Sequence, residues 1–437
     1  MVGSSSAQKT SQTALVYGTL NGAIAKQMVI GPFIVAFAVQ VQGFSNAQLS
    51  WFLTVLPLLV LLRYPFLDVL RPFPRIKVLH VARAVQISCL AALLILPTDW
   101  ITLPVLVLIA AWFVFGNEFL QNAVWMNLVA EVSAPSDRGR FLGRLRTWKQ
   151  TTAMCFALFG FFVVGSELSR AEFSILLVVA GLLLINSLYW YAKVPATPPA
   201  SDARAFSGRG QAWSILRTNP MLRRPLALSF VNAVLHWPIL IVFIVGSLHL
   251  PANLLMLTVV AAMTGSIVSE VSWGAKADRS GIKHVFLIYY LGSFALYPLL
   301  FFVPDYAAIE TGSVQWIIGT IMLLSFYFFS GVLDAGQMMA ASMYRAHYLN
   351  TPSGFHAVNL LTALTQLFTG LLTALGGVIL VTLAVPEPSQ SGAIWIDPFR
   401  VTTITIMLAT VAIGVWISTG IALENRTNPA AGDSISA

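Results

Sequence analysis

Charge is scarce in this chain: 10% of its 437 residues are charged, and only 17 are acidic. Cysteine is scarcer still, with two. Cys89 and Cys155 both lie inside apolar runs, where a lone thiol behaves as a small apolar side chain, and neither informs on redox compartment. The sequence has no cysteine–histidine metal spacing, no glycine loop at a strand–helix junction, no nucleophile elbow and no soluble domain to house one. These absences set enzymatic chemistry aside and imply no cofactor.

What is present instead is apolar. Hydrophobic residues make up 57% of the chain, and the mean hydropathy is +0.79. A bilayer-crossing helix takes about 20 apolar residues, and polar and Pro/Gly breaks cut the chain into about twelve such runs. They fall near 14–41, 49–70, 77–97, 101–130, 147–166, 171–192, 225–249, 252–273, 283–303, 314–343, 355–384 and 399–423, numbered here as spans 1 to 12. The division of 147–192 rests on the polar break "GSELSRAE". An all-α, multi-pass membrane protein is expected. The first run is longer than the core of a signal peptide, so it is expected to stay as a span.

The net charge of +8 reads as topology rather than nucleic-acid affinity. Bases gather in alternate loops: Arg71, Arg75 and Lys77 after span 2; Arg138, Arg140, Arg144 and Arg146 after span 4; Lys276, Arg279 and Lys283 after span 8; Arg345 after span 10. A further six, from Lys193 to Arg224, lie between spans 6 and 7. The opposite loops hold only Arg170 and Arg400 among bases, against seven acids that include Asp99, Glu172 and Asp305. The positive-inside rule places both termini in the cytoplasm, in the inner membrane or a membrane derived from it. The lipid bilayer is the expected surroundings, and no nucleic acid is expected as partner.

The stretch from Lys193 to Pro225 is the longest polar one and is rich in Pro, Ser, Gly and Arg, as a linker is. It divides the chain into a tail 1–13, a six-helix half 14–192, a linker 193–224, a second half 225–423 and a tail 424–437. Shifts of 211 to 217 residues place Asn21 on Asn232, Pro135 on Pro352, Gln150 on Gln366 and Gly160 on Gly376, pairing spans 1, 4 and 5 with 7, 10 and 11. An internal repeat of this kind is common in transporter folds.

Between spans 8 and 9 the pattern Gly274-x-x-x-Asp278-Arg279-x-Gly281-x-Lys283 resembles the signature loop of the major facilitator superfamily. A tight turn there needs glycine where φ is positive, and the carboxylate can cap a helix or pair with facing arginines. The first-half copy, "RYPFLDVLRPFPRIKV", has Pro72 where the acid belongs. "PSDRGRFLGRLR" after span 4 resembles the partner loop and supplies Arg138, Arg140 and Arg144. The resemblance covers essentially the whole chain. It implies two rocking halves, a monomer, and a central cavity lined by spans 1, 4, 7 and 10.

Ionisable residues at mid-bilayer depth are functional candidates. Four are found by depth: Lys26 in span 1, Glu118 in span 4, His236 in span 7 and Asp334 in span 10. At i+3 or i+4 Glu118 has Gln121 and Asn122, His236 has Asn232, and Asp334 has Gln337; Trp237 adds an aromatic wall. Arg83 is expected to snorkel to the cytoplasmic end of span 3, and Arg63 and Glu270 to lie near such ends. A carboxylate poised between burial and a nearby lysine can load and release protons, so Glu118 or Asp334 is the expected coupling site. Lys26 is then its counter-ion or the anchor for an anionic group; the alternative is a permanent Lys26–Glu118 pair that only joins spans 1 and 4.

The resemblance implies secondary active transport of a small molecule or ion by alternating access. Span 5, "TWKQTTAMCFALFGFFVVG", has no Gly-Pro signature, which weighs against drug export, and no sugar-porter signature stands out. "LVYGTLNGAIAKQMVIGPF" also resembles facilitator-type proteins of magnetosome membranes. That resemblance implies iron as cargo; Glu118, Asp334, His236 and the nearby Met338 and Met339 could offer ligands to a divalent metal, but they do not form a spaced cluster as motif-type metal sites do. A non-transporting membrane scaffold on the same fold is the third alternative.

Overall fold

The computed structural model describes residues 2–61, 63, 69–70, 73–122, 124–125, 128–129, 138–195, 214, 227–228, 231, 244, 248–349, 352–382 and 398–419. Nearly all of span 7, including Asn232, His236 and Trp237, lies outside the described residues, as do most of the linker and the tail beyond 419.

Within a bilayer each backbone group must be satisfied internally, so apolar runs become helices and their breaks become caps. Among the described residues seven helices are long and apolar enough to cross a membrane, and shorter apolar ones accompany them. Span 1 begins at Val2, so the polar stretch expected as a tail is helical, and it runs as Val2–Leu20, Gly22–Ile30 and Pro32–Ala36. The break at Gly31 precedes Pro32, which has no N–H to donate. Span 2 is Asn46–Val60, opened by a capping box of Ser45 and Gln48. Span 3 is Arg75–Ile95, and span 4 is Leu103–Val114 continued by a π-helical turn, Phe115–Gln121. Spans 5 and 6, Arg138–Val163 and Arg170–Tyr191, part at the "GSELSRAE" break, where Ser169 and Glu172 form a second capping box. In the second half Ala252–Ser280, Ile282–Leu296, Val314–Leu349, Pro352–Thr382 and Pro398–Thr419 are spans 8 to 12.

The pairing of helices repeats. In the first half span 3 packs on spans 4 and 6, and span 2 on span 4; in the second, span 9 packs on spans 10 and 12, and span 8 on span 10. The halves meet where span 2 lies on span 11 and, reciprocally, span 8 on span 5. Adding six to each span number carries one set into the other, the two-fold relation of an internal repeat. Spans 8 and 10 approach backbone to backbone: a Cβ on Gly265 would strike the Phe328 carbonyl, and one on Gly331 the Ala262 carbonyl. Small residues at such a crossing let two helices lock without apolar driving force from lipid. Trp273 Nε1 seals the same crossing by donating to the Val332 carbonyl at 2.6 Å.

The outer surface displays Ile95, Trp112, Phe162, Val271 and Trp416 to the surroundings. In water these would be liabilities; against lipid they are the matching surface. At the end away from the arginine-rich loops, Arg170 Nη2 donates to the Leu93, Leu94 and Leu96 carbonyls and so caps span 3.

Candidate functional site

Glu118 sits in the π turn of span 4. Its two oxygens accept from Asn117 Nδ2 and Asn122 Nδ2, each at 2.8 Å, and Oε2 faces Arg63 Nη1 at 3.8 Å. Arg63 also donates through Nη2 to the Asn122 carbonyl at 3.2 Å and to Asn359 Oδ1 at 3.1 Å. The cation that holds Glu118 is therefore Arg63 on span 2, where the sequence reading expects Lys26 on span 1. A π turn fits an extra residue into each turn, so i+4 stays on the face of Glu118 while i+3 falls short of it. Gln121 accordingly turns away: it is buried and accepts from Gln86 Nε2 at 3.2 Å.

A cavity of about 460 Å³ opens where the halves meet. The first half lines it with Lys26, Gly31 and Val35 of span 1, Pro57 of span 2 and Glu118. The second half brings Tyr289, Tyr297, Phe326, Tyr327, Asp334 and Gln366. Lys26, Glu118 and Asp334, chosen from sequence by depth, thus face one space. Gln337 is buried and does not line it, and Met338 is exposed on the helix outside it.

Lys149 on span 5 is a residue the sequence reading passes over. It lies within electrostatic range of Lys26, Glu118 and Arg146. The apolar run begins near 147, which makes Lys149 look terminal; the helix begins at Arg138 and carries it three turns further in. The signal available was the i, i+3 spacing of Arg146 and Lys149.

Arg83 does not snorkel. It is fully buried between spans 1, 3 and 6, donating from Nε to Ser187 Oγ at 3.0 Å and from Nη2 to the Gly18 carbonyl at 3.3 Å and Tyr191 Oη at 3.2 Å; Nη1 donates to Gln86. Four neutral acceptors satisfy the guanidinium in place of water, and Tyr191 adds its ring face at 5.5 Å. Gln86 passes the network on to Gln121, so Arg83 braces the π turn from behind.

Toward the arginine-rich end spans 5 and 8 close on each other. Arg146 Nε stands 2.9 Å from Glu270 Oε1. The N–H is not aimed at that oxygen, so the contact is an ion pair, and Thr147 donates to Oε2 at 3.4 Å. One turn deeper Gln150 Nε2 donates to Ser266 Oγ at 2.7 Å. The signature stretch itself is mostly helix: Gly274 and Arg279 lie in the last turns of span 8, and the chain turns only at Gly281, with φ +80°. Arg144, Arg279 and Lys283 make no ion pair among the described residues, and the side chains of Arg138, Arg140 and Asp278 lie outside them.

The family model described as Major Facilitator Superfamily matches residues 17–358. The chain belongs to the major facilitator superfamily. No curated protein matches it. Its fold is similar to that of a mutant of the nucleoside transporter NupG, with a TM-score of 0.65, 13% identity, and 94% of this chain and 99% of that one covered. It is also similar to the xylose transporter XylE from E. coli in a partially occluded inward-open conformation, with a TM-score of 0.64, 12% identity, and 95% and 97% covered. At such identities the likeness is one of fold.

This superfamily member is a multi-pass membrane transporter for a small molecule, not an enzyme. The facilitator's cavity has an acid from each half, and both lie beside contacts that join the halves. Glu118 is tied through Arg63 to Asn359 on span 11, and Asp334 lies within electrostatic range of Arg146.

Proposed function

We propose that this facilitator is a proton-coupled secondary transporter in which Asp334 takes up and releases the coupling proton and Glu118 stays a fixed anion. The observation that carries the reading is the pattern of donors on Glu118. Both of its oxygens accept from amide N–H groups and one faces a guanidinium, so a proton on either would meet a donor instead of an acceptor. Asp334 is the other carboxylate that lines the cavity, on the opposite wall near Tyr289 and Tyr297. The base-rich loops face the cytoplasm from the inner membrane, both termini are inside, and the protein works as a monomer. Iron as cargo draws no support from the described residues, among which no three His, Cys, Asp or Glu side chains gather.

Proteoliposomes holding an internal pH dye test this against benzoate, uridine, xylose, alanine and ferrous iron. A transported solute changes the internal pH in the native protein and in Glu118→Gln. Asp334→Asn exchanges the same solute across the membrane with no pH change. Uptake without a pH change in the native protein refutes the coupling, and a protein that moves none of the five fits the scaffold alternative.

A further inference from the structure

The charge that lines the cavity is divided between the halves. Among the described residues the first-half wall carries Lys26 and Glu118. Glu118 already faces Arg63 at 3.8 Å and accepts from two amides. Lys26 is exposed in the cavity and makes no hydrogen bond or ion pair with the described residues. The second-half wall contributes Asp334 and, among the described residues, no base. Arg146 lies within electrostatic range of Asp334 but is itself paired with Glu270 at 2.9 Å. Lys149 is exposed and does not line the space. One wall therefore offers a cation to whatever enters, and the opposite wall an anion.

The anionic wall is also the aromatic one. Tyr289, Tyr297, Phe326 and Tyr327 line it with Asp334. The Phe326 ring centroid stands 5.8 Å from that of Tyr297 and 5.4 Å from that of Tyr327, edge-on to the latter at 87°. Such rings take a flat apolar body by stacking or edge contact, and their faces attract an ammonium group. The volume of about 460 Å³ falls in the range of small-molecule sites. A solute with only a positive charge meets Lys26, one with only a negative charge meets Asp334, and a neutral one offers a partner to neither.

We infer that the cavity takes a zwitterion with an aromatic body, of the aromatic amino-acid kind, its carboxylate toward Lys26, its ammonium toward Asp334 and its ring against Tyr289, Tyr297, Phe326 and Tyr327. This rests on the transporter reading and deepens it. A cargo held at both ends joins one wall to the other, so the halves close around it as occlusion requires. Its ammonium and the coupling proton take the Asp334 carboxylate in turn, so cargo and proton weaken each other's binding and move in opposite directions.

The test uses the purified full-length protein at neutral pH and measures thermal stabilisation and affinity for L-phenylalanine, phenethylamine, hydrocinnamate, phenethyl alcohol and alanine. Phenylalanine is expected to bind about tenfold more tightly than phenethylamine, which lacks the carboxylate, and than hydrocinnamate, which lacks the ammonium, the worth of one charged contact in each case. Alanine, which keeps both charges and lacks the ring, also binds more weakly. Lys26→Gln should lower phenylalanine affinity about tenfold without weakening phenethylamine, and Asp334→Asn should lower it about tenfold without weakening hydrocinnamate. Lys26→Arg and Asp334→Glu stay within a few-fold. Gel-filtration profiles and unfolding temperatures of the four variants without ligand separate lost binding from lost folding, and the analogue series on the native protein decides where a variant does not fold. Phenethylamine, hydrocinnamate or phenethyl alcohol binding as tightly as phenylalanine overturns the inference, as does native-like phenylalanine affinity in both neutral variants, or no phenylalanine binding at all. Binding at one pH moves no proton across a membrane, so loss of this site and loss of proton coupling show in different readouts.

Discussion

Arg63 and Asn359 meet across the seam between the two halves, Nη2 donating to Oδ1 at 3.1 Å, while the same guanidinium faces Glu118. A contact that holds the seam is thereby wired to a wall of the cavity. Asn359→Ala removes the acceptor and leaves the Arg63–Glu118 pair. Span 2 should then part from span 11 about tenfold more often, the worth of one charge-assisted hydrogen bond. A cysteine placed at Ala363, buried on span 11 one turn from Asn359, in a Cys155→Ser background reads this as faster reaction with a water-soluble maleimide. Unchanged reactivity would show that the contact does not hold that end closed.

The Arg146–Glu270 pair makes a second prediction. Glu270's side chain is only 4% exposed, so removing Arg146 leaves a buried carboxylate without its cation. Arg146→Gln should cost about 3 kcal/mol of the closed arrangement, and Glu270→Gln in the same background should return part of it. Unfolding temperatures of the two single variants and the double variant complete the cycle; additive effects would mean that the pair is not coupled.

Gly22 packs against the Arg83 guanidinium so closely that a Cβ there would lie 2.5 Å from both Nη atoms. Gly22→Ala should therefore lower stability by about 3 kcal/mol, at the upper end for overpacking a core. Gly143→Ala, where a Cβ meets nothing within 4 Å, is the control and should be near neutral. Equal unfolding temperatures for the two would refute the packing of Arg83 described above.

Outside the membrane, His249 Nδ1 and Asp305 Oδ1 are 3.0 Å apart. The hydrogen bond to Asp305, and the charge of that carboxylate, hold the His249 imidazolium above the usual histidine value. Protons are bound more tightly folded than unfolded, so this stabilisation is complete below about pH 6.5 and fades as pH rises through the raised value. His249→Gln should flatten that part of the pH profile of the unfolding temperature. The effect is small, because the imidazole is 57% exposed and water screens the pair.

Much of this molecule was legible in its sequence because membrane insertion leaves few options. Apolar length marked the helices, and Ser169 with Glu172 marked the break between spans 5 and 6 through an ordinary capping pattern. Depth along a span was enough to select Lys26, Glu118 and Asp334, which face one cavity. Which group pairs with which was not legible. The π turn at Phe115–Gln121 leaves no mark in residue type, and it decides that Asn122 and not Gln121 accompanies Glu118. Arg83 looked free to reach the surface because helix depth says nothing about Ser187 and Tyr191, more than a hundred residues away. Lys149 was hidden because a run of bases lowers hydropathy and moves the apparent start of the span.

The close crossing of spans 8 and 10 at Gly265 and Gly331 has a mechanical side. With backbones in contact and Trp273 pinned to Val332, neither helix can slide or bend alone without forcing carbonyls together. Glu270 at the gate and Asp334 at the cavity therefore ride on a single stiff lever. Motion started at one acid is delivered to the other by rigid translation, with no chain of intermediate side chains needed to carry it.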